Sequence, residues 1–214
     1  MFDPQSKLAA QALSAGYSAE TIINDLSISF DAGSITAIIG ANGAGKSSLL
    51  KALARKIKAT SGAVLLDGVS ISSLAKTDLE SSVGFLGTIP AARNNETVFE
   101  MISRSAMAAS QISRVSPRLR EEIETLLART SLTELKDRKI GELSSGSRQS
   151  AVIAAALVRN PQVLLLDEPT NSLDYSHQLQ VINLLSSLVS PRISSLKPCQ
   201  KLTKSGLCFQ CDCT

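Results

Sequence analysis

The sequence predicts an α/β fold built on a largely parallel sheet. Three observations predict it. Short apolar, β-branched runs alternate with segments of helical apolar spacing. A glycine-rich turn joins one such run to a helix. A continuous apolar run, Val163 to Leu166, ends in the acidic pair Asp167-Glu168. With 214 residues, the chain is long enough for one sizeable domain with its own core.

Residues 20–30 read as an edge strand, with Ile22, Ile28 and Phe30 apolar, and Asp31 to Ser34 as a turn. Ile35 to Ile39 is a short β-branched run, expected to be a buried strand. Gly40 to Gly45 cannot hold regular structure. Lys46 to Ile57 has helical spacing through Leu49, Leu50, Leu53 and Ile57. Val64-Leu65-Leu66 and Val83 to Leu86 are expected strands. Residues 97–136 are helical in pattern, with Pro117 opening a helix whose apolar face is Leu119, Ile123, Leu126 and Leu127. An alanine-rich helix is expected from Ser150 to Val158, and another from Leu173 to Leu188 with Leu179, Ile182, Leu185 and Leu188 on one side. No internal repeat is present.

Composition narrows the function. Hydrophobic residues make up 43% and charged residues 19%, a globular balance. A net charge of +3 is too small to argue for nucleic acid, and 3% aromatics with no Trp weakens any base-stacking surface. No apolar run approaches the ~20 residues of a membrane span, and the first residues lack a basic-then-apolar signal. All four cysteines fall at or after Cys199, which fits a reducing compartment without a disulfide framework. The chain is therefore expected in the cytoplasm, reaching a membrane only through a partner.

Gly40-Ala41-Asn42-Gly43-Ala44-Gly45-Lys46-Ser47 fits the phosphate-loop pattern G-x-x-x-x-G-K-[ST], after a strand and before a helix. Gly40, Gly43 and Gly45 let backbone N–H groups converge on phosphate oxygens without Cβ clashes, and Asn42 sits among them. The helix start, with Ser47 and Ser48, adds partial positive charge. Lys46 is expected on the β and γ phosphates, and the Ser47 hydroxyl on Mg²⁺. Asp167, at the tip of an apolar strand, is expected to hold Mg²⁺ through water. Glu168 is placed to polarise the attacking water as general base. A solvated turn is the alternative for that acidic pair.

Between these two motifs lies Leu143-Ser144-Ser145-Gly146-Ser147-Arg148-Gln149, about 20 residues before Asp167. A phosphate loop, this Leu-Ser-x-Gly segment, and Leu164-Leu165-Leu166-Asp167-Glu168-Pro169-Thr170, in that order, resemble the ATP-binding-cassette ATPases over roughly residues 8–189. The resemblance implies a P-loop NTPase (RecA-like) core with a mostly parallel sheet, an antiparallel β edge region and an inserted helical subdomain. The nucleotide-binding domain would be residues 1–190, with its core in 1–88 and 150–190 and the helical subdomain in 89–149. It implies ATP and Mg²⁺ as cofactors. It also implies a homodimer or cassette pair that sandwiches two ATP molecules, and a transmembrane permease subunit as partner. Ser144 and Gly146 match the signature segment that faces the phosphates held by the other copy, although any helix cap could read so. Tyr17 matches the aromatic that stacks on adenine, a packed surface tyrosine being the alternative. Asp174, in Asn171-Ser172-Leu173-Asp174, matches the acidic residue of the loop crossing the dimer interface.

Several positions depart from the family pattern. Ser145 replaces the first glycine of Leu-Ser-Gly-Gly-Gln, and Ser147 the glutamine. Thr88 stands where a glutamine usually contacts Mg²⁺ or water. No apolar strand ending in a histidine follows the 173–188 helix, where Ser190-Pro191-Arg192-Ile193 begins an unpatterned stretch. The one histidine, His177, is too early to be that switch residue. Asp174-Tyr175-Ser176-His177-Gln178-Leu179 and Thr97-Val98-Phe99-Glu100 are instead similar to the sub-group serving siderophore, haem and cobalamin import. Residues 191–214 read as an irregular, disordered tail. Cys199, Cys208, Cys211 and Cys213 allow a Cys₄ zinc site, but Cys-x-Cys is cramped for one. A frameshifted or truncated terminus that has lost the histidine strand is the competing expectation.

The expected function is that of an ATP-hydrolysing subunit energising a membrane transporter, of iron-siderophore import type. Its rivals are a nucleotide-binding subunit with little hydrolysis and a soluble cassette ATPase of DNA repair or translation. The soluble class usually carries coiled-coil inserts or tandem cassettes, which this chain lacks.

Overall fold

In the computed structural model of the protein, the described residues are 6–17, 20–87, 94–110, 112–169, 175–189 and 209–210. The chain forms two compact units. One comprises Met1–Ala75 with Ser186–Thr214, and the other Lys76–Leu185.

The first unit is built on an antiparallel sheet. Strand β1 (Ser6–Tyr17) lies between β2 (Glu20–Asp31) and β4 (Ala59–Leu66), and β5 (Val69–Ser70) borders β4. This is the expected antiparallel β region. Sequence patterning assigns no strand to 6–17, because its many alanines carry weak β preference. Tertiary context supplies what propensity lacks. As a central strand, β1 buries Leu8, Ala9, Ala10, Leu13 and Ala15 to 3% exposure or less. The strand is bulged: its register with both neighbours shifts near Ala12, which has φ 46°. Backbone groups freed there find side chains, with Ala12 N donating to Ser27 Oγ (2.9 Å) and Asp25 N to Ser14 Oγ (3.1 Å).

Helix α1 (Lys46–Leu53) buries Leu49, Ala52 and Leu53 against this sheet. It stops short of the predicted Ile57, because Arg55 takes a left-handed φ of 53°. The Arg55 guanidinium then donates to Ile71 O (2.6 Å) and Leu74 O (2.8 Å), tying the helix end to the chain after β5. The expected buried strand at 35–39 is corrected. Only Thr36–Ala37 forms β3, pairing antiparallel with β8 (Phe209–Gln210), and Ile39 is 57% exposed. Apolar composition alone does not bury a run that lacks a full ladder on both sides.

The second unit starts with α2 (Lys76–Ser82) and β6 (Val83–Leu86). Strand β7 (Val163–Leu166) pairs parallel with β6, Val83 opposite Val163 through Leu86 opposite Leu166. Both strands have the bounds that the sequence predicts. Between them come α3 (Val98–Ser110), α4 (Pro117–Arg129), short 3-10 turns at Thr133–Leu135 and Ile140–Glu142, and α5 (Ser145–Leu157). Thr97 and Glu100 cap α3 reciprocally, through Thr97 N to Glu100 Oε2 (2.8 Å) and Glu100 N to Thr97 Oγ1 (3.2 Å). Ser116 Oγ caps α4 by accepting from Leu119 N (3.2 Å), with Pro117 in the first helical position. Leu119, Ile123, Leu126 and Leu127 are all buried, as their spacing predicts. They join Val98, Ile102, Leu132, Ile140, Ile153 and Val181 in one core.

Helix α6 (Tyr175–Val189) spans the boundary between the units. Its predicted apolar face is corrected at Leu179 and Ile182, while the predicted Leu185 does pack on the core. Leu179 and Ile182 are 41% and 48% exposed, whereas Val181 is buried, with Leu184 and Leu185 packed beside it. Leu188 lies outside the described side chains. Both faces of this helix are apolar enough to bury, so spacing does not choose between them. Among the described residues, no helix is long and apolar enough to cross a membrane.

Replacing Ile123 by Ala is expected to lower the free energy of unfolding by about 2–5 kcal/mol, since Ile123 is fully enclosed in the core. Urea titration followed by circular dichroism measures it.

Candidate nucleotide site

The predicted nucleotide residues divide between the two units. Tyr17 and residues 40–48 belong to the first, and Ser144, Gly146, Asp167 and Glu168 to the second.

In the first unit, residues 40–45 form the irregular turn that the sequence predicts. Ala44 N donates to Ala41 O (3.2 Å), and Gly43 and Gly45 hold φ of 81° and 88°. Those values suit glycine and strain any side chain. Gly45 is the N-cap of α1, so the loop runs straight into a helix N-terminus. Asn42 and Gly43 are exposed, Gly40, Gly45, Lys46 and Ser47 half-buried, and Ser48 is buried at 7%. The Lys46 ammonium folds back over the loop, donating to Gly40 O (2.9 Å) and Ala41 O (2.8 Å). The cradle fits a polyphosphate: an exposed glycine turn, a helix N-terminus and a lysine across its mouth. Tyr17 closes β1 and is 43% exposed. The Lys51 ammonium of α1 stands 5.9 Å from that ring's centre. Sequence reasoning missed this contact; five residues after Lys46 on an eight-residue helix, Lys51 carries no motif.

In the second unit, Asp167 extends the parallel pair by one bond, its N–H donating to Leu86 O (2.9 Å). Its side chain is half-buried. Glu168 is exposed and turns left-handed with φ 49°. A non-glycine residue held there, directly before Pro169, stores local backbone strain of roughly 1–2 kcal/mol. Such strain is typical of functional turns. The Ser47 hydroxyl and Asp167 carboxylate are hard oxygen donors, the class that Mg²⁺ takes together with substrate phosphates.

The signature-like segment corrects one expectation. The helix begins at Ser145 rather than Ser150, and Ser144 is its N-cap. Ser144 Oγ accepts from Ser147 N (3.1 Å) and donates to Ser147 Oγ (3.0 Å). The run of serines hides this start from apolar periodicity, but a serine three residues before a bonded N–H is itself a capping signal. Arg148 anchors the helix start, its guanidinium donating to Ile140 O (3.2 Å) and Gly141 O (3.3 Å). Ser144 and Ser145 are exposed, while Gly146 is buried. Asp174, Thr88 and the four cysteines lie outside the described residues. A cleft of about 490 Å³ between Arg118, Glu122, Arg129 and Leu157 includes none of the predicted site residues.

The ABC transporter family profile matches residues 23–171, spanning both the phosphate loop and the acidic pair. The chain belongs to the ABC transporter family. It is 38% identical over 184 residues to the iron(3+)-hydroxamate import ATP-binding protein FhuC of Bacillus subtilis, covering 86% of this chain and 68% of that protein. It is 34% identical to the ferric enterobactin transport ATP-binding protein FepC of Escherichia coli, covering 88% and 70%. Among solved structures it resembles cbiO1 from Clostridium perfringens, part of the ABC transporter complex cbiONQ, with TM-score 0.75, 28% identity and coverage of 86% and 74%. The fold is thus that of the ABC ATPases, and the family membership supports ATP binding and ATPase activity.

Replacing Ser144 by Ala is expected to remove the cap of α5 and cost about 1 kcal/mol. Chemical denaturation reads the loss.

Proposed function

We propose that this chain is the ATP-binding and ATP-hydrolysing subunit of a membrane importer of iron-siderophore type. The observation that carries the reading is the glycine turn heading α1, with Lys46 across it, in a chain 38% identical to an iron-hydroxamate import ATP-binding protein. Lys46 and the N-terminus of α1 bind the phosphates, and Tyr17 stacks on the adenine. Ser47 and Asp167 hold Mg²⁺, which neutralises phosphate charge when bound. Glu168 takes the proton of the attacking water. Ser144, Gly146 and Asp174 act across a pair of cassettes, and residues 89–149 form the helical subdomain. The partners are a second cassette and a transmembrane permease, through which the chain sits on the inner face of the cell membrane.

A second reading, ATP binding with little hydrolysis, is favoured by specific departures. Ser145, Ser147 and Thr88 replace family residues, and residues 190–198 include no histidine.

Nucleotide affinity and steady-state hydrolysis, measured on the parent and two variants, separate the readings. Lys46→Ala is expected to weaken ATP binding. Glu168→Gln is expected to keep binding and lower turnover by roughly 10²-fold or more. A parent that binds ATP yet turns over no faster than Glu168→Gln selects the second reading. Tyr17→Ala is expected to weaken ATP affinity by about 1–3 kcal/mol, read by titration with a fluorescent nucleotide; unchanged affinity returns Tyr17 to a packing role.

A further inference from the structure

The first turn of α5 includes two positions where the family pattern has glycine, and only one retains it. The structure gives a reason. Ser145 is exposed, so its Cβ meets solvent. Gly146 is buried, and the ring of His177 from α6 fills the place where a side chain would stand. A Cβ on Gly146 would overlap Cδ2 of that ring and lie 2.5 Å from Cγ and 2.8 Å from Nε2. Real Cβ atoms do not approach so closely, so the imidazole and the glycine backbone are in direct van der Waals contact. His177 is itself half-buried, on a helix held to the same core by Val181.

We propose that His177 is a positioning residue for the signature turn. Its ring buttresses the backbone at Gly146 and so sets where the capped N-terminus of α5 lies. The ring takes the room that a Cβ would need, which makes glycine obligatory at 146 while 145 tolerates serine. The same helix begins at Tyr175, the residue after Asp174 in the sequence. The role rests on the reading of Ser144 and Gly146 as residues that face the nucleotide of a second cassette. A shift of about 1 Å at such a turn is enough to lose roughly 10²-fold in function.

Two measurements test it. The first is ATP-induced pairing of the full chain by light scattering, in a Glu168→Gln background that retains ATP. His177→Ala is expected to weaken pairing by about tenfold or more, with fluorescent-nucleotide affinity of the unpaired chain unchanged. If that variant does not fold, His177→Leu refills the volume without the ring. The second is a thermal-unfolding cycle of Gly146→Ala, His177→Ala and the double variant. The double variant is expected to lose less stability than the sum of the two, since removing the ring makes room for the new Cβ. An additive cycle, or His177→Ala pairing as the parent does, overturns the proposal. A parent that binds ATP but never pairs overturns the signature reading and this role with it, while a non-additive cycle would still mark the contact as real.

Discussion

An α-helix leaves its first N–H groups without partners inside the helix, and the chain must bring something to them. Both sets of predicted phosphate residues are organised by that requirement. At α1 the cap is Gly45, which has no side chain to offer, and no side chain caps the helix. At α5 the cap is Ser144, whose hydroxyl takes the N–H of Ser147 while Ser144 and Ser145 stay exposed. The two starts solve one problem in opposite ways. The glycine start keeps backbone groups available for a polyphosphate, and the serine start stabilises the helix while keeping its tip at the surface.

Each start is held in place by the packing behind it. Helix α1 lies on the antiparallel sheet through Leu49, Ala52 and Leu53, and Arg55 locks its far end onto the carbonyls of Ile71 and Leu74. Helix α5 runs through the core of the second unit, with Ala151, Ile153 and Ala154 at 0% exposure. Small alanines let neighbouring helices approach closely, and Arg148 fixes the first turn against the Ile140–Glu142 turn. The acidic pair depends on a third element. The β6–β7 ladder ends with Asp167 N bonded to Leu86 O, and the left-handed step at Glu168 follows at once. The chemistry-bearing residues thus sit at the ends of rigid elements, where backbone geometry is set by the core behind them.

Much of this was legible in the residues. Glycine spacing with Lys46 and Ser47 identified the phosphate loop, because few other sequences need three glycines and a lysine there. Apolar runs gave β6 and β7 to the residue, and Pro117 with the Leu119–Leu127 spacing gave α4 and its buried face. The misses share a cause. β1 is alanine-rich and becomes a strand only because two partners flank it. α5 starts five residues early because its first turn is held by capping and by Arg148, neither of which has apolar period. α6 turns Val181 inward and Leu179 outward, since both faces are hydrophobic and the neighbours choose.

The sequence by itself determined the family, the order of motifs and the residue types that can bind phosphate, hold a cation and take a proton. These are local properties: a glycine, a lysine or a carboxylate carries its chemistry wherever it is placed. Tertiary structure alone decided that the His177 ring occupies the space beside Gly146, which face of α6 is buried, and that Lys51 meets Tyr17. Those outcomes depend on contacts between residues distant along the chain, and excluded volume between such residues is not written in any local pattern.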